Sequence, residues 1–207
     1  MISDEATVFL VDDDDAVRDA LSLLLDSAGL RTAAYPSAAD FLANYAPDRP
    51  GCLVLDIRMP SMSGMELQAA LTERSVNIPI IFLSGHGNVS MSATAFRSGA
   101  VDFLEKPFDE NVLLERIHEA IQQDRSNRET GARRATASAR LAALTRREHE
   151  VMLLIVTGHA NKEIATKLNL STRTVETHRG RIMEKTAAQS LTELIEIALA
   201  SGSHELK

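Results

Sequence analysis

A short apolar run that ends on a carboxylate, Cys52-Leu-Val-Leu-Asp56, gives the strongest indication of how this chain folds. A continuous apolar run of this length is typical of a strand buried in a parallel sheet. Four similar runs occupy residues 7–11, 31–35, 80–83 and 102–104, and each precedes apolar residues at helical spacing. This alternation predicts an α/β domain built on a doubly wound parallel sheet of five strands.

Polar side chains follow the predicted strands at their carboxyl ends. Asp12-Asp-Asp14 follows the first strand and Asp56 ends the third, while Ser84 ends the fourth and Lys106 follows the fifth. Ligands of open α/β sheets bind beyond the carboxyl ends of the strands, so we expect these side chains to share one crevice.

The residue types in this crevice favour phosphoryl transfer. Clustered carboxylates repel one another and call for a cation such as Mg²⁺, while Lys106 supplies a second positive charge and Ser84 a hydroxyl. In such a site Asp56 attacks in line and becomes an aspartyl phosphate. The alternative interpretation is a solvated helix cap at the aspartate run and unrelated surface residues elsewhere. The joint placement at four strand ends favours the phosphoacceptor.

Residues 144–201 have a purely helical period. Boundary signals predict four short helices over about 145–157, 161–168, 172–186 and 190–200, with plausible N-caps at Asn161 and Ser171. The tight turn at 169–171 gives the second and third helices the spacing of a helix-turn-helix. The third carries polar and basic residues around an apolar strip, which suits either a major-groove reader or a solvated amphipathic helix.

Charge divides the 207 residues into unlike parts, although the formal total is −7. Residues 1–122 carry 8 basic and 19 acidic side chains, residues 123–140 carry 5 and 2, and residues 141–207 carry 9 and 8. This asymmetry predicts two modules with different partners.

The chain has one cysteine, which excludes an intrachain disulfide, and 44% hydrophobic residues, which excludes a wholly disordered protein. We expect a cytoplasmic protein without a membrane span or signal peptide.

The segment between the two modules lacks bulky apolar residues from 124 to 140. It is therefore predicted to be an exposed linker, either a helical continuation of a helix that starts at 110 or a coil, with Gly131 favouring a break. The expected division is 1–122, a linker at 123–140 and a second domain at 141–207.

The first module resembles a response-regulator receiver domain. The resemblance rests on Val11-Asp-Asp-Asp14, Leu53-Val-Leu-Asp-Ile-Arg-Met-Pro60, Ser63-Gly-Met-Glu66, Leu83-Ser-Gly-His-Gly87, Ser98-Gly-Ala-Val-Asp-Phe103 and Glu105-Lys-Pro-Phe108. It implies that Asp56 is phosphorylated and that Mg²⁺ or Mn²⁺ is held by Asp12, Asp13, Asp56 and the backbone carbonyl of Arg58. It also implies that Lys106 pairs with phosphoryl oxygens before a cis bond to Pro107. Ser84 and Phe103 would form the switch pair.

The second module resembles a LuxR-type DNA-binding domain. The matching motifs are Leu144-Thr-Arg-Arg-Glu-His-Glu-Val151, Gly158, Asn161-Lys-Glu-Ile-Ala165, Ser171-Thr-Arg-Thr-Val-Glu-Thr-His-Arg179 and Ile182-Met-Glu-Lys185. Resemblance implies that Glu176, Thr177 and Gly180 face the groove. The implied phosphate contacts are Lys162, Thr172, Arg173, Thr174, Arg179 and Lys185. Thr186-Ala-Ala-Gln189 departs from the family's glycine-containing turn, and the apolar last helix is expected to pair with its copy.

Together these resemblances identify the chain as a two-component response regulator of the FixJ subgroup, and not an enzyme. The expected partners are a sensor histidine kinase, promoter DNA, a second copy on phosphorylation and RNA polymerase. Phosphorylation is expected to reshape the face formed by helix 88–98, strand 102–104 and the last receiver helix. Two alternatives remain: a phosphate sink with a vestigial second domain, and a haloacid-dehalogenase-type enzyme. The latter class usually has a second Asp where this chain has Arg58.

Overall fold

The structure, a computed structural model, describes residues 6–46, 49–85 and 101–202. The chain forms two compact units, Met1–Arg128 and Glu129–Lys207. Within the described ranges, no helix has a stretch that is both apolar enough and of the length needed to span a membrane.

The first unit is built on a five-stranded sheet, as predicted. Its neighbouring strands are all parallel and lie in the order β2-β1-β3-β4-β5. The strands are β1 (Thr7–Val11), β2 (Arg31–Tyr35), β3 (Gly51–Asp56), β4 (Ile80–Ser84) and β5 (Asp102–Glu105). Three of them extend one residue further toward the carboxyl edge than the sequence predicted, so the sheet reaches Asp56 and Ser84 themselves.

Alternate residues of the central strands face two separate apolar cores. Val8 and Leu10 of β1 lie in one cluster with buried residues of the helices α1 (Asp15–Ser27) and α4 (Glu110–Ala142). Phe9 and Val11 lie in the other cluster, with α2 (Ala38–Asn44) and α3 (Gly64–Glu73). Because successive strand side chains point to opposite faces, strands covered by helices on both sides must be apolar at every position. Cys52 is fully buried in the first cluster as a free thiol.

Side-chain caps begin the helices that follow β1, β2 and β3. These helices are α1 (Asp15–Ser27), α2 (Ala38–Asn44) and α3 (Gly64–Glu73). The Asp14 carboxylate accepts from the backbone N–H groups of the first turn of α1, and Ser37 and Ser63 cap the other two. Asp14 therefore has the capping role that was the alternative interpretation of the aspartate run. The predicted helix over 88–98 lies outside the described residues.

Helix α4 (Glu110–Ala142) continues without a break through the whole of the predicted linker. The predicted break at Gly131 is wrong. A mid-helix glycine costs only about 1 kcal/mol relative to alanine, which the surrounding Ala, Arg and Glu residues offset. The segment is not exposed throughout either, because Asp124 and Ala137 are buried. Asp124 accepts from the Gly51 backbone N–H at 2.9 Å and from the Arg128 Nε at 2.5 Å.

Four helices form the core of the second unit, as predicted. They are α5 (Arg146–Val156), α6 (Asn161–Leu168), α7 (Thr172–Thr186) and α8 (Leu191–Ser201). Val151, Ile164, Val175, Ile182 and Leu194 are buried together, and the end of α4 adds Ala137 and Leu141 to the same cluster. Thr145 begins α5 with a complete capping box to Glu148, and Ser171 caps α7.

Two details of the second unit bear on the predictions made from the sequence. The predicted N-cap at Asn161 is wrong: Ala160 precedes the helix, and Glu163 satisfies its backbone N–H at 2.8 Å. Ala187 ends α7 in the left-handed conformation, at φ 52°. The turn lacking the family's glycine therefore keeps a backbone conformation that glycine adopts more readily.

Candidate functional site

Lys106 bridges two carboxylates at the carboxyl edge of the sheet. Its Nζ lies 2.7 Å from Asp12 Oδ2 and 2.7 Å from Asp56 Oδ1. The two acids stand at the ends of the adjacent strands β1 and β3, and the lysine follows β5, next to a cis bond to Pro107. Asp12 and Asp56 are both buried. Three residues that are far apart in sequence thus meet in one crevice.

Backbone and side-chain donors hold the two carboxyl groups in place. The Arg58 N–H donates to Asp56 Oδ2 at 2.7 Å, and the Asp14 N–H donates to Asp12 Oδ1 at 3.0 Å. Arg18, on α1, donates from Nη1 to the Asp12 backbone carbonyl at 2.7 Å. Sequence reasoning missed Arg18, and the available signal was its position on the first turns of the helix that follows the aspartate run.

Ser84 and Phe103 lie on the two strands nearest Lys106. Ser84 is buried at the end of β4, and its carbonyl accepts from the Lys106 backbone N–H at 2.7 Å. Phe103 on β5 pairs in register with Phe82, two residues before Ser84, and packs partly buried against the cluster that contains α2 and α3. Ser84 therefore ends β4 beside Lys106, and Phe103 pairs two residues further back along the same strand.

Burial and charge act in opposition on these groups. Desolvation raises the pKa of Asp56 above the ordinary 3.8, aided by the charge of Asp12 and opposed by Lys106 and the Arg58 N–H. Burial alone would lower the pKa of Lys106, but its hydrogen bonds to Asp12 and Asp56 outweigh burial and raise it. The lysine therefore remains an ammonium that compensates two closely placed carboxylates.

A divalent cation fits part of this donor set. Asp12 and Asp56 offer the carboxylate oxygens that Mg²⁺ prefers as ligands. One oxygen of each residue lies 2.7 Å from the same atom, Lys106 Nζ. Asp13 is exposed, and within the described ranges no three acidic, histidine or cysteine side chains converge to hold a metal. The ammonium of Lys106 stands between the two buried acids, which accounts for their close approach.

Helix α7 presents an exposed polar face in the second unit. Thr172, Arg173, Glu176, Thr177 and Gly180 are exposed, while Val175 and Ile182 are buried. A side chain added at Gly180 would meet no protein atom within 4 Å, so the protein's own packing does not require glycine there. Lys162, on α6, is also exposed.

Three of the predicted phosphate contacts already have partners within the unit. Lys185 Nζ donates to Glu148 Oε2 at 2.6 Å, and Arg179 Nη1 donates to Asn161 Oδ1 at 3.2 Å. The Thr174 and Ser171 hydroxyls lie 2.7 Å apart. The first two of these pairings join different helices and could not be anticipated from the helical pattern alone.

Comparison with known families accounts for both units. Residues 8–118 match the response regulator receiver domain, and residues 142–198 match the luxR family of bacterial regulatory proteins. The residues between these matches fall within α4.

Full-length relatives share both parts in the same order. The chain is 44% identical over 197 residues to the transcriptional regulatory protein FixJ of Rhizobium meliloti, covering 95% of this chain and 96% of that protein. It is 41% identical over 200 residues to nodulation protein W of Bradyrhizobium diazoefficiens, covering 97% and 88%. The solved structure of the response regulator StyR is 41% identical with a TM-score of 0.82, covering 94% of this chain and 98% of that chain.

The fold, the carboxyl-edge crevice and these matches define a response regulator in which a receiver domain is joined to a DNA-binding domain. The chain belongs to the FixJ-like, luxR-type transcriptional response regulators of two-component systems. It is therefore a transcription regulator that takes its signal from a histidine kinase and acts on DNA.

Proposed function

We propose that Asp56 accepts a phosphoryl group from a phosphohistidine of the sensor kinase. The observation that carries the proposal is the Lys106 ammonium at 2.7 Å from both Asp12 and Asp56. A carboxylate oxygen of Asp56 forms the new P–O bond as the P–N bond breaks, and the kinase imidazole leaves with a proton. Lys106 then neutralises phosphoryl oxygens at the position where it now contacts Asp56.

A divalent cation, Mg²⁺ or Mn²⁺, would be held by Asp12, Asp13, Asp56 and the backbone carbonyl of Arg58. When bound, it supplies positive charge that stabilises the transferring phosphoryl group. The buried pair of acids supports this assignment, and Asp13 adjoins Asp12 in the loop between β1 and α1. Ser84 and Phe103 form the switch in this proposal, the hydroxyl moving toward the phosphoryl group and the ring following it inward.

Adding Mg²⁺ is expected to stabilise the first unit, since a ligand that binds only the folded state shifts the unfolding equilibrium. At ten times the dissociation constant the gain is about 1.4 kcal/mol. Asp13→Asn should remove most of the shift in thermal unfolding, whereas Asp26→Asn, at an exposed position on α1, should retain it. An equal Mg²⁺ shift in the Asp13 variant would contradict the assignment.

DNA recognition is assigned to the exposed face of α7. Glu176, Thr177 and Gly180 would face the groove, and Thr172, Arg173, Thr174, Arg179, Lys185 and Lys162 would contact phosphates. The exposure of Arg173 and Thr177 beside the buried Val175 supports this arrangement, because one helix face packs while the other is open. Base contacts then select sequence, and phosphate contacts fix register.

Substitutions on α7 should separate these two kinds of contact. Arg173→Ala is expected to weaken binding to all duplexes alike and to reduce the salt dependence by about 0.9 in log K per log salt, the value of one phosphate contact. Thr177→Ala should instead change sequence preference, measured by selection from a random duplex pool. Uniform weakening by Thr177→Ala with an unchanged preference would contradict its placement at the bases.

Phosphorylation is proposed to act by pairing two copies of the chain. The face containing β5 and the receiver part of α4 would join the receivers, and α8 would join the DNA-binding units on a palindromic site. On α8, Leu191 and Leu199 are 45% and 52% exposed, which supports an apolar partner surface. RNA polymerase is a further proposed partner, because the regulated step is transcription.

Beryllofluoride, which mimics a phosphoryl group on aspartate, is expected to increase self-association measured by sedimentation. Leu199→Asn should weaken binding to a palindromic duplex without abolishing binding to a half-site, since it removes apolar contact between copies. Leu23→Asn is a matched control, because Leu23 is 73% exposed on α1. A beryllofluoride-treated chain that stays monomeric at every concentration would contradict the pairing.

The proposed division places phosphorylation in residues 1–122, connection in 123–140 and DNA binding in 141–207. Family matches at 8–118 and 142–198 support it, although the compact units meet between residues 128 and 129.

We infer action in the cytoplasm, because the target is chromosomal DNA. A hydrolase role is disfavoured, since Arg58 stands two residues after Asp56. A gel shift with a promoter duplex would separate the regulator from a phosphate sink.

A further inference from the structure

A buried carboxylate lies beneath the end of the proposed recognition helix. Glu148, in the first turn of α5, has only 3% of its side chain exposed. Its Oε2 accepts from the Thr145 N–H at 2.8 Å, from the Thr145 hydroxyl at 2.9 Å and from Lys185 Nζ at 2.6 Å. One oxygen thus joins the start of α5 to the last turn of α7.

The ion pair between Lys185 and Glu148 fixes the rotation of α7 against α5, which apolar packing alone leaves adjustable. Val151 of α5 and Ile182 of α7 are buried in the same cluster, but apolar contact is non-directional and tolerates rotation of one helix against another. A charge-assisted hydrogen bond depends on distance and angle, and therefore specifies one rotation of α7 about its axis. Rotation about this axis decides which side chains face the groove.

Glu148 is a carboxylate throughout the physiological range. The hydrogen bond from Lys185, followed by the Thr145 backbone N–H, lowers the pKa of Glu148 from 4.5 to about 2. Because the folded-state pKa lies below the unfolded value, this stabilisation is complete above pH 4.5 and is lost only as the pH falls toward 2. The salt bridge is consequently a constant feature of the unit at neutral pH.

We propose that Glu148 and Lys185 are positioning residues for DNA recognition, and that Lys185 acts through Glu148 and not through a phosphate of the duplex. This inference rests on the proposed DNA binding by α7. It replaces the phosphate contact assigned to Lys185 in the proposed function and expected from the sequence, because the Lys185 Nζ already contacts Glu148 and the side chain is 34% exposed. The other proposed phosphate contacts are unchanged: Lys162, Thr172, Arg173, Thr174 and Arg179.

The two roles predict opposite signs for one substitution. Glu148→Gln removes a negative charge from a DNA-binding unit and leaves every basic side chain in place. If charge alone mattered, the variant would bind DNA more tightly, and Lys185 would be released to a phosphate. If Glu148 positions α7, the variant binds more weakly in spite of its more favourable charge.

The test measures affinity and salt dependence for the beryllofluoride-treated full chain. The probe is a duplex that the wild-type chain selects from a random pool. The variants are Glu148→Gln, Lys185→Met and their double. Lys162→Met serves as the phosphate-contact comparison, and Lys167→Met removes a charge from an exposed position outside the proposed contacts. Circular dichroism melting sets an assay temperature at which all are folded.

We expect Glu148→Gln and Lys185→Met each to lower affinity about tenfold. The double variant should be nearly equal to either single variant, because both remove the same interaction. Both singles should keep the wild-type salt slope, whereas Lys162→Met should reduce it by about 0.9. Lys185→Arg should restore affinity, since arginine can reach the same carboxylate.

Two outcomes would overturn the inference while leaving the proposed function intact. One is a Glu148→Gln chain that binds as tightly as the wild type or more tightly. The other is a Lys185→Met chain whose salt slope falls as in Lys162→Met, which decides the matter even if the Glu148 variant unfolds. A wild-type chain that selects no duplex would overturn the proposed function and the inference with it.

Discussion

Asp56→Asn is expected to reduce phosphoryl incorporation from acetyl phosphate to background. The amide preserves the size of the side chain and can still meet the Arg58 N–H, but it lacks the anionic oxygen that attacks phosphorus. Incorporation is measured with labelled donor, followed by release with hydroxylamine, which cleaves an acyl phosphate. Fold retention is checked by thermal unfolding.

Asp26→Asn is the matched control for this experiment, since Asp26 is an exposed aspartate on the same unit. It should incorporate label at the wild-type level. Label that persists on Asp56→Asn, at a hydroxylamine-sensitive position, would show that another carboxylate is the acceptor. The neighbouring acids Asp12 and Asp13 are the residues to examine in that case.

The pH dependence of incorporation follows from the raised pKa of Asp56. Only the carboxylate attacks, so the rate falls as Asp56 becomes protonated. Because burial raises the pKa, the fall on acidification should begin at a higher pH than for an ordinary aspartate of pKa 3.8. Lys106→Met removes a contact that lowers this pKa and should move the fall to still higher pH.

Gly64→Ala is expected to destabilise the first unit by roughly 3 kcal/mol, the upper part of the range for overpacking. Gly64 begins α3, and a Cβ there would lie 2.4 Å from the backbone oxygen of Asp56. The clash is with backbone, so it cannot be relieved by a side-chain rotation. Urea unfolding measures the loss, and an unchanged midpoint would contradict the close approach.

Two glycine controls separate crowding at the site from crowding elsewhere. Gly51→Ala would place Cβ 2.2 Å from the Thr7 oxygen at the opposite end of β3, so it should destabilise without displacing Asp56. Under conditions where both variants are folded, only Gly64→Ala should slow phosphorylation. Gly131→Ala meets no atom within 4 Å and lies in α4, so it should stabilise its helix by about 1 kcal/mol.

Sequence patterns predicted the sheet and the crevice because both depend on short-range regularities. An apolar run such as residues 52–55 identifies a buried strand, and parallel strands bring their carboxyl ends to one edge. The same regularity predicted that Asp12, Asp56 and Lys106 lie together. The spacing of α6 and α7 was equally accessible, because helix boundaries there depend on local caps and turns.

Polar side-chain contacts away from the carboxyl ends of the strands were not predicted. Asp124 stands in a polar stretch, and nothing adjacent in sequence indicates that it accepts from the Gly51 N–H at the start of β3. The Lys185 contact with Glu148 joins residues 37 positions apart on two different helices. Long basic side chains have many rotamers, so their partners are decided by the assembled packing.

The fully buried thiol of Cys52 can be used to measure unfolding of the first unit. Burial, with the charge of Asp124, raises its pKa far above the ordinary range, and only the thiolate reacts with alkylating reagents. Because this is the single cysteine of the chain, its alkylation rate measures how often the receiver domain opens and is not affected by labelling elsewhere. Mass spectrometry of samples alkylated for different times could therefore measure how much a cation or a phosphoryl mimic slows the opening of that domain. The DNA-binding domain contributes no signal.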